Sequence, residues 1–360
     1  PVFMKGVNWI PADFFPTRIK DDKYRYLLES CKNANMNMIR VWGGGIYEPD
    51  VFYDICDELG ILVWQDFMYA CALYPGDSLF MRNAEIEAKE QVKRLRNHPS
   101  LALWCGNNEV KNGWDDWGWK GQYKPNQLAE IEGNMHKLFD DLLPNVVKEW
   151  SSETPYISTS PLWGWGHDES CTEGDAHYWG VWWGELPFEM WEEKTGRFMA
   201  EYGFQSYPEW NTITSYAPEN ELIVNSASLK NHQKHSRGVQ IINKAMLRYF
   251  SEPKDLKEYV YYSQLAQAYG VGWAIETHRR QLPHCMGTLF WQLNDCWPVA
   301  SWSSIDYYGR WKALQYEAKR KYEPVIITTK PLQKEGLPIC IVSDLLSISM
   351  ITSFISGKIS

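Results

Sequence analysis

Strand-like and helix-like segments alternate along this chain from Met4 to Lys321, and this alternation limits the possible folds more than any other feature. The predicted strands are Met4–Pro11, Asn37–Trp42, Leu62–Phe67, Leu101–Glu109, Tyr156–Ser160, Asp175–Trp179, Phe198–Phe204 and Gly287–Asn294. Strands that alternate with helices form a parallel sheet, and eight such units predict a closed (β/α)8 barrel, or TIM barrel. An open doubly wound sheet is the alternative, but no glycine-rich phosphate loop follows the first strand.

The helices are predicted from apolar residues at helical spacing and from their end signals. One helix carries Tyr24 to Cys31 on its apolar face, and the next begins at Pro49 and stops at Gly60. Further helices are predicted at 79–97, 128–150, 255–280 and 309–321, and the polar, tryptophan-rich stretch 111–123 is predicted to be a loop.

The pattern changes near Tyr322, which divides the chain into a barrel domain at 1–322 and a second segment at 323–360. The second segment contains two β-like runs, and we interpret it as the beginning of a β-sandwich. Two or three strands cannot bury a core alone, so we expect the edges of this segment to be poorly covered and mobile. The chain opens at Pro1 without Met and enters a strand at once, as expected of a piece of a longer protein.

Composition narrows the class of function. A hydrophobic content of 44% with 22% charged residues is ordinary for a globular enzyme. The net charge of −9 argues against a nucleic-acid partner. No apolar run approaches the roughly 20 residues of a membrane helix. The eight cysteines are scattered without a CxxC pair, which favours free thiols over a disulfide framework.

The chain is unusually rich in large aromatic residues, with 20 Trp and 21 Tyr. Such side chains offer stiff apolar surfaces with a polar edge, on which the C–H faces of sugar rings pack well. Most of them are expected to be core residues. Those that flank two particular glutamates, Glu109 and Glu201, are the exception, because both glutamates follow short apolar runs that are predicted to be strands.

In a (β/α)8 barrel, catalytic residues lie at the carboxyl ends of the strands. The polar and aromatic candidates at these ends are Asn8, Trp9, Arg40, Trp42, Asp66, Asn108, Glu109, His177, Trp179, Glu201, Trp291, Asn294 and Asp295. A single Asp or Arg at a strand end is usually a salt bridge or a helix cap. The convergence of so many candidates from seven strands favours a site.

Two glutamates on one rim suggest glycosidic bond hydrolysis, which requires one protonated and one ionised carboxyl group. An apolar wall that includes Trp114 and Trp117 would raise the pKa of Glu109, as a general acid requires. Arg40, reaching in from the second strand, would keep Glu201 ionised.

Other chemistries are less well supported by the residues. His232 and His235 are the one close histidine pair, and they lie in a charged stretch that is expected to be exposed, so no metal site is predicted. A serine nucleophile is disfavoured because the GxSxG pattern is missing.

At these residues the chain resembles the β-mannosidases of the family 2 glycoside hydrolases. The matching runs are Lys5–Pro11, Ile39–Glu48, Trp64–Phe67, Trp104–Glu109, Ala200–Ser206, Phe290–Asp295 and Pro298–Ser303. The resemblance covers roughly residues 1–323 in unbroken order. The Asn108–Glu109 pair indicates only the wider clan of barrel hydrolases, whereas the Arg-Val-Trp-Gly-Gly-Gly and Trp-Gln-Leu-Asn-Asp runs indicate this family.

The resemblance implies that Glu109 is the general acid/base and Glu201 the nucleophile of a retaining enzyme that releases single mannose units from non-reducing ends. It also implies that Asn108 holds the 2-hydroxyl of the sugar and that three tryptophans wall its subsite, namely Trp42, Trp117 and Trp291. No cofactor is implied, and the substrate would be an oligosaccharide or another glycoside. The resemblance also implies β-sandwich domains before and after the barrel in the longer protein, and a periplasmic or secreted location if the protein is bacterial or a lysosomal one if it is animal.

Two alternatives remain open from the sequence. Another family 2 specificity, such as β-galactosidase, β-glucuronidase or exo-glucosaminidase, would use the same two glutamates. A carbohydrate-binding barrel without activity is the alternative from a different class, and the presence of both glutamates argues against it.

Overall fold

The computed structural model of the chain describes residues 2–330 and 338–345. The strands are β1 Met4–Trp9, β2 Met38–Val41, β3 Leu62–Asp66, β4 Leu101–Cys105, β5 Tyr156–Ile157, β6 Ala176–His177, β7 Met199–Glu201, β8 Gly287–Phe290, β9 Val325–Thr329 and β10 Ile339–Ser343. The first eight form one sheet in the order β5-β4-β3-β2-β1-β8-β7-β6, with every pairing parallel. Trp163, in the segment after β5, forms a parallel bridge with Ala176 of β6, which links the two ends of the sheet. The predicted TIM barrel is thus confirmed.

The helices surround this sheet. The α-helices are α1 Asp21–Asn33, α2 Asp50–Leu59, α3 Ser78–Leu95, α4 Val110–Asp116, α5 Pro125–His136, α6 Leu143–Trp150, α7 Trp210–Tyr216, α8 Ala227–Asn231, α9 Gly238–Tyr249, α10 Leu256–Arg280 and α11 Ala313–Lys321. A π-helical segment, Lys137–Leu142, joins α5 to α6, and 3-10 helices lie at Pro16–Arg18, Trp119–Gln122, Asp168–Cys171, Phe188–Glu192 and Glu219–Glu221. End signals agree with these bounds: Asp77 caps α3 through its side chain, and Gly60 ends α2 in the left-handed conformation.

The prediction of eight regular strand–helix units is wrong in the second half of the barrel. In the fully described stretch between β5 and β7, the connections contain single 3-10 helices instead of α-helices. The stretch 111–123, predicted to be a loop, is instead mostly helical, with α4 and the 3-10 helix that follows it. The fourth strand was also predicted too long, since β4 ends at Cys105, well before Glu109.

The lower interior of the barrel is filled by apolar side chains. The buried members of this plug are Met38, Trp64, Cys105, Ala200 and Leu289, one from each of five strands. Because side chains alternate along a strand, the neighbouring residues Ile39, Trp104 and Phe290 point outward and join the larger core between the sheet and the helices. The plug closes one end of the barrel, so any site must lie at the other end.

The hairpin of β9 and β10 packs beside the barrel. Asp344, just after β10, accepts ion pairs from Lys5 of β1 at 2.7 Å and from Arg279 of α10 at 3.0 Å. The two β-like runs predicted from the sequence are present as β9 and β10, which pair in antiparallel orientation. The expected mobility of this segment stays a prediction, because residues 331–337 and 346–360 lie outside the described residues.

Among the described helices, none combines the length and the apolar character that a membrane span requires.

Candidate active site

A cavity of about 610 Å³ opens at the carboxyl ends of the strands, above the apolar plug. Both glutamates predicted from the sequence line it. Its described lining residues are Trp42, Cys71, Asn108, Glu109, Asn112, Trp117, Trp165, His177, Trp179, Trp183, Glu201, Trp291 and Trp302. A cavity walled mostly by tryptophan, with two carboxyl groups facing it, suits a ligand that has both apolar faces and hydroxyl groups.

Arg40 of β2 organises the floor of this cavity. Its side chain is fully buried, and its guanidinium donates to Asp66 Oδ2 at 2.8 Å and to Glu201 Oε1 at 2.5 Å. It also donates to Asn8 Oδ1 at 3.0 Å and to Asn108 Oδ1 at 2.7 Å. A buried charge requires such pairing, and the planar fork of arginine can serve several oxygen acceptors at once.

Glu201 stands at the end of β7 and is held rigidly. The main-chain pairing of the strand fixes its backbone, and Arg40 fixes its carboxylate. Burial raises the pKa of Glu201 above its usual value, and the neighbouring His177 and the guanidinium of Arg40 oppose that rise. The expected contact between Arg40 and Glu201 is thus present.

Glu109 is held differently. It precedes α4 and adopts the left-handed conformation, with φ of 59°, which is uncommon for a residue with a side chain. Its backbone N–H donates to Ser160 O at 2.8 Å. Its Oε1 lies 2.8 Å from His177 Nδ1, and its Oε2 lies 3.6 Å from the thiol sulfur of Cys71.

The surroundings of Glu109 favour its neutral form. Burial raises the pKa of Glu109 to about 7, although the charge of Arg40 and hydrogen bonds from Cys71 and Asn108 act in the opposite direction. The apolar wall was expected to contain both Trp114 and Trp117, and only one of them is part of it. Trp117 lines the cavity, whereas Trp114 turns away and donates to Glu132 Oε1 at 2.8 Å.

The two glutamates lie close together. One carboxylate oxygen of each, together with a ring nitrogen of His177, falls within a group whose atoms are all within 4.8 Å of one another. His177 Nδ1 is 2.8 Å from Glu109 Oε1 and 3.5 Å from Glu201 Oε2, so the hydrogen-bond partner of the imidazole is Glu109.

Eight of the predicted site residues line the cavity: Trp42, Asn108, Glu109, Trp117, His177, Trp179, Glu201 and Trp291. Six others do not. Three of them are buried and bond within the protein: Asn8 donates to Ala200 O, Trp9 donates to Glu48, and Asp295 accepts from Ser303. Arg40 and Asp66 are fully buried below the cavity, where they pair with each other. Asn294 donates to Ile10 O at 2.8 Å, which directs its amide into the loop after β1 instead of toward a ligand.

The tryptophans Trp42 and Trp291 share the cavity, as predicted. They follow β2 and β8, the two strands that flank β1, and their rings meet edge to face at 5.2 Å between centroids. Together they form one continuous wall.

Sequence reasoning missed several lining residues. Cys71, Asn112, Trp165, Trp183 and Trp302 come from segments beyond the strands, where no periodic pattern predicts which side chain turns inward. A usable signal existed for three of them, because the tryptophans are concentrated in 163–165, 179–183 and 297–302.

The described residues contain two clusters with enough ligand atoms for a metal ion, namely Glu109–His177–Glu201 and Asp54–Asp57–His98. In the first, the guanidinium of Arg40 touches Glu201, and its positive charge disfavours a dication there.

The pair His232 and His235 was expected to be exposed, but both are partly buried. His232 stacks between Tyr216 and Trp297, and His235 packs on Trp183.

Comparison with known proteins gives this site a context. The chain is 38% identical to the β-mannosidase of Capra hircus, over 91% of the chain and 39% of that protein. It is also 38% identical to β-mannosidase B of Thermothelomyces thermophilus, over 91% of the chain and 40% of that protein. The crystal structure of the β-D-mannosidase from Dictyoglomus thermophilum superposes with a TM-score of 0.89 at 42% identity, over 96% of the chain and 42% of that protein.

The chain belongs to the β-mannosidase family of glycoside hydrolases. No protein-family model matches it. The chain spans about 39% of the length of the β-mannosidase from Capra hircus, so the relationship concerns the barrel and the beginning of the segment after it.

Proposed function

We propose that the protein containing this chain is an exo-acting, retaining β-mannosidase, with Glu109 as general acid/base and Glu201 as nucleophile. The observation that carries the proposal is that two glutamates, the buried Glu201 and the partly buried Glu109, face one tryptophan-lined cavity with different partners. Glu201 has a guanidinium and is suited to stay ionised. Glu109 has an imidazole and a thiol, with its pKa raised to about 7, and is suited to donate a proton.

The distance between the two carboxyl groups supports retention of configuration. Retaining enzymes hold them about 5–5.5 Å apart, whereas inverting enzymes need about 6.5–9.5 Å to admit a water molecule. Oxygens of Glu109 and Glu201 within 4.8 Å of each other favour the first arrangement. Glu201 would then attack the anomeric carbon while Glu109 protonates the departing oxygen, and Glu109 would next activate the water that releases the sugar.

The shape of the cavity supports attack at a chain end. Its floor is closed by Arg40 and by the apolar plug beneath it, so a substrate enters from the mouth only. At the mouth, Trp117, Trp165 and Trp183 are 45%, 37% and 49% exposed. We propose that they receive the group attached to the mannose, and that β-sandwich domains of the longer protein flank the barrel and complete this rim.

A panel of chromogenic β-glycosides tests the proposed specificity in the natural protein that contains this chain. The panel comprises p-nitrophenyl β-mannoside, β-galactoside, β-glucuronide and β-glucosaminide, with Glu201→Ala as the matched control. We expect kcat/KM to be highest for the mannoside, with product released first in the β configuration by NMR. A higher kcat/KM for another sugar would contradict the proposed specificity for mannose. Binding without turnover would indicate an inactive carbohydrate-binding barrel.

A further inference from the structure

A buried chain of hydrogen bonds leads away from Glu109 into the protein. His177 Nδ1 lies 2.8 Å from Glu109 Oε1, and His177 Nε2 lies 2.8 Å from Ser160 Oγ. Ser160 Oγ in turn lies 2.6 Å from Asp175 Oδ2. His177 is 1% exposed, Ser160 0% and Asp175 7%, so water competes little for these bonds.

The positions of the protons follow from counting the donors along this series of hydrogen bonds. The 2.6 Å distance between Ser160 Oγ and Asp175 Oδ2 lies in the range of about 2.5–2.7 Å that is typical of a hydroxyl bound to an ionised carboxylate. Burial raises the pKa of Asp175, while the hydrogen bond from Ser160 and the charge of Arg40 oppose that rise. An ionised Asp175 only accepts, so the single hydroxyl proton of Ser160 points toward it. Ser160 Oγ must then accept from His177, which places a proton on Nε2.

The imidazole of His177 is neutral, because burial lowers its pKa and outweighs the carboxylates around it. A neutral ring carries one proton, so a protonated Nε2 leaves Nδ1 as an acceptor. The atom that faces Nδ1 at 2.8 Å is Glu109 Oε1, which must therefore be the donor.

We propose that Asp175 and Ser160 are positioning residues that fix the tautomer of His177, so that the bare Nδ1 accepts a hydrogen bond from the protonated carboxyl group of Glu109. The inference deepens the proposed function and rests on it for the role of Glu109. The imidazole thereby selects the acid form of Glu109 before the substrate arrives and orients its proton-bearing oxygen.

The other charged groups around His177 leave this assignment intact. Glu201 Oε2 lies 3.5 Å from Nδ1, beyond a good hydrogen bond, and its charge is matched by Arg40. Asp66, from β3, is paired with the same guanidinium. Asp175 Oδ2 lies 3.8 Å from Nε2 and is bonded by Ser160. Glu109 thus faces Nδ1 without a cationic hydrogen-bond partner, and the hydrogen bond to the imidazole adds to the effect of burial in stabilising its neutral form.

The same geometry assists both halves of the reaction. In the first half, the O–H of Glu109 turns from Nδ1 to the glycosidic oxygen and gives up its proton, while the bond of that oxygen to the anomeric carbon breaks and Glu201 bonds to the same carbon. The resulting carboxylate then faces the lone pair of Nδ1, which makes it a stronger base. In the second half it takes a proton from water, while the water oxygen bonds to the anomeric carbon and the bond to Glu201 breaks. Glu109 is again protonated, and His177 has kept its own proton throughout.

The tautomer can be observed directly. In protein labelled with ¹⁵N-histidine, the ring resonances of His177, assigned by their loss in His177→Gln, distinguish a protonated nitrogen from a bare one. We expect a proton on Nε2 and none on Nδ1 at neutral pH. A proton on Nδ1 would overturn the proposal. This measurement needs no substrate, so it decides the proposal even if the protein hydrolyses no β-mannoside.

The isosteric variant Asp175→Asn tests the effect on Glu109. Without the carboxylate, the Ser160 proton is no longer directed away from His177, and the ring can present Nδ1–H to an ionised Glu109. We expect the basic limb of the kcat/KM profile for a poorly activated mannoside to move down by about one pH unit. The matched control is Asp140→Asn, which removes the carboxylate of the exposed pair of Asp140 with His136 and should leave the limb in place.

A double-mutant cycle separates the hydrogen-bond chain from a simple loss of charge. In the His177→Gln background, Asp175→Asn should produce no further shift of the basic limb, because the influence of Asp175 runs through the ring. The same shift in both backgrounds would show that Asp175 acts through space and would overturn the proposal. A uniform loss of kcat/KM at all pH values, with the limb unmoved, would also overturn it and assign Asp175 a structural role.

Discussion

Glu109 and Glu201 are the same residue type in the same cavity, yet the chain surrounds them in opposite ways. Glu201 ends a strand and has a buried guanidinium at 2.5 Å. Glu109 follows its strand by a short segment, adopts a left-handed backbone conformation and faces an imidazole and a thiol. The difference teaches that the partners of a carboxyl group tune its pKa: the guanidinium of Arg40 opposes the effect of burial at Glu201, whereas burial raises the pKa of Glu109 to about 7.

The strongest test of this contrast is the loss of the proposed nucleophile. Glu201→Ala should lower turnover of every substrate by on the order of 10⁴- to 10⁶-fold, because no glycosyl-enzyme can form. Release of p-nitrophenol from the β-mannoside in the natural protein measures this. If azide restores turnover to Glu201→Ala with a product of retained configuration, and to Glu109→Ala with an inverted one, the two roles are reversed.

Loss of the proposed acid should have a smaller and more selective effect. Glu109→Ala should lower kcat/KM by about 10²- to 10⁴-fold for mannosides with poor leaving groups. Substrates with good leaving groups need little protonation, so their first step should be spared, and azide should then restore turnover. Stopped-flow measurement of the first release of nitrophenol separates the two steps. Equal losses for both kinds of leaving group would argue against the acid role.

The guanidinium that pairs with Glu201, that of Arg40, can be removed by substitution. Arg40→Met leaves Asp66 and Glu201 buried without their cation, and we expect it to lower the free energy of unfolding by about 3–5 kcal/mol. Denaturant titration measures the loss. The matched control is Arg25→Met, which removes an exposed arginine paired with Glu58 and should change stability little.

The pH profile sharpens the comparison further. Because the pKa of Glu109 is raised to about 7, kcat/KM for poorly activated mannosides should fall by about tenfold per pH unit above that value, as the acid form is lost. Glu48, buried against Trp9 and Tyr24, also has its pKa raised to about 7 by burial. Glu48→Gln should leave this limb in place, and a shift of the limb would assign it to Glu48 instead.

The same Glu48 affects stability with a definite sign. Its folded pKa lies above the unfolded value, so between pH 4.5 and about 7 the folded chain binds more protons than the unfolded chain. Its contribution to stability is therefore full at low pH and is lost as the pH rises through that window.

The smallest expected effect concerns the shared wall of the cavity. Trp291→Ala removes one ring of the pair with Trp42, and we expect it to weaken the binding of a mannose-configured inhibitor by about tenfold. Calorimetry measures the binding. Trp150→Ala, at the end of α6 and outside the cavity, is the control that should leave binding unchanged. Equal weakening in both variants would indicate a general loss of structure.

The sequence by itself determined the barrel, because the alternation of strand and helix patterns, Pro and Gly end signals and apolar faces are local properties of the chain. It also determined that Glu109 and Glu201 share one rim, since parallel strands bring their carboxyl ends to the same side. The irregular connections between β5 and β7 escaped prediction. Their tryptophans turn inward as a result of packing, which leaves no periodic mark on the sequence.

Only the tertiary structure decided which partners each site residue has. Arg40 was predicted to reach Glu201, and it does. Its position below the cavity and its ion pair with Asp66 were not predicted, because they depend on which side chains of neighbouring strands point inward at the same level. Asn294 and Trp114 lie at suitable places in the sequence and turn elsewhere. The chain from Asp175 through Ser160 to His177 could not be foreseen, because hydrogen bonds between side chains require positions fixed to within tenths of an ångström, and strand order alone does not fix them.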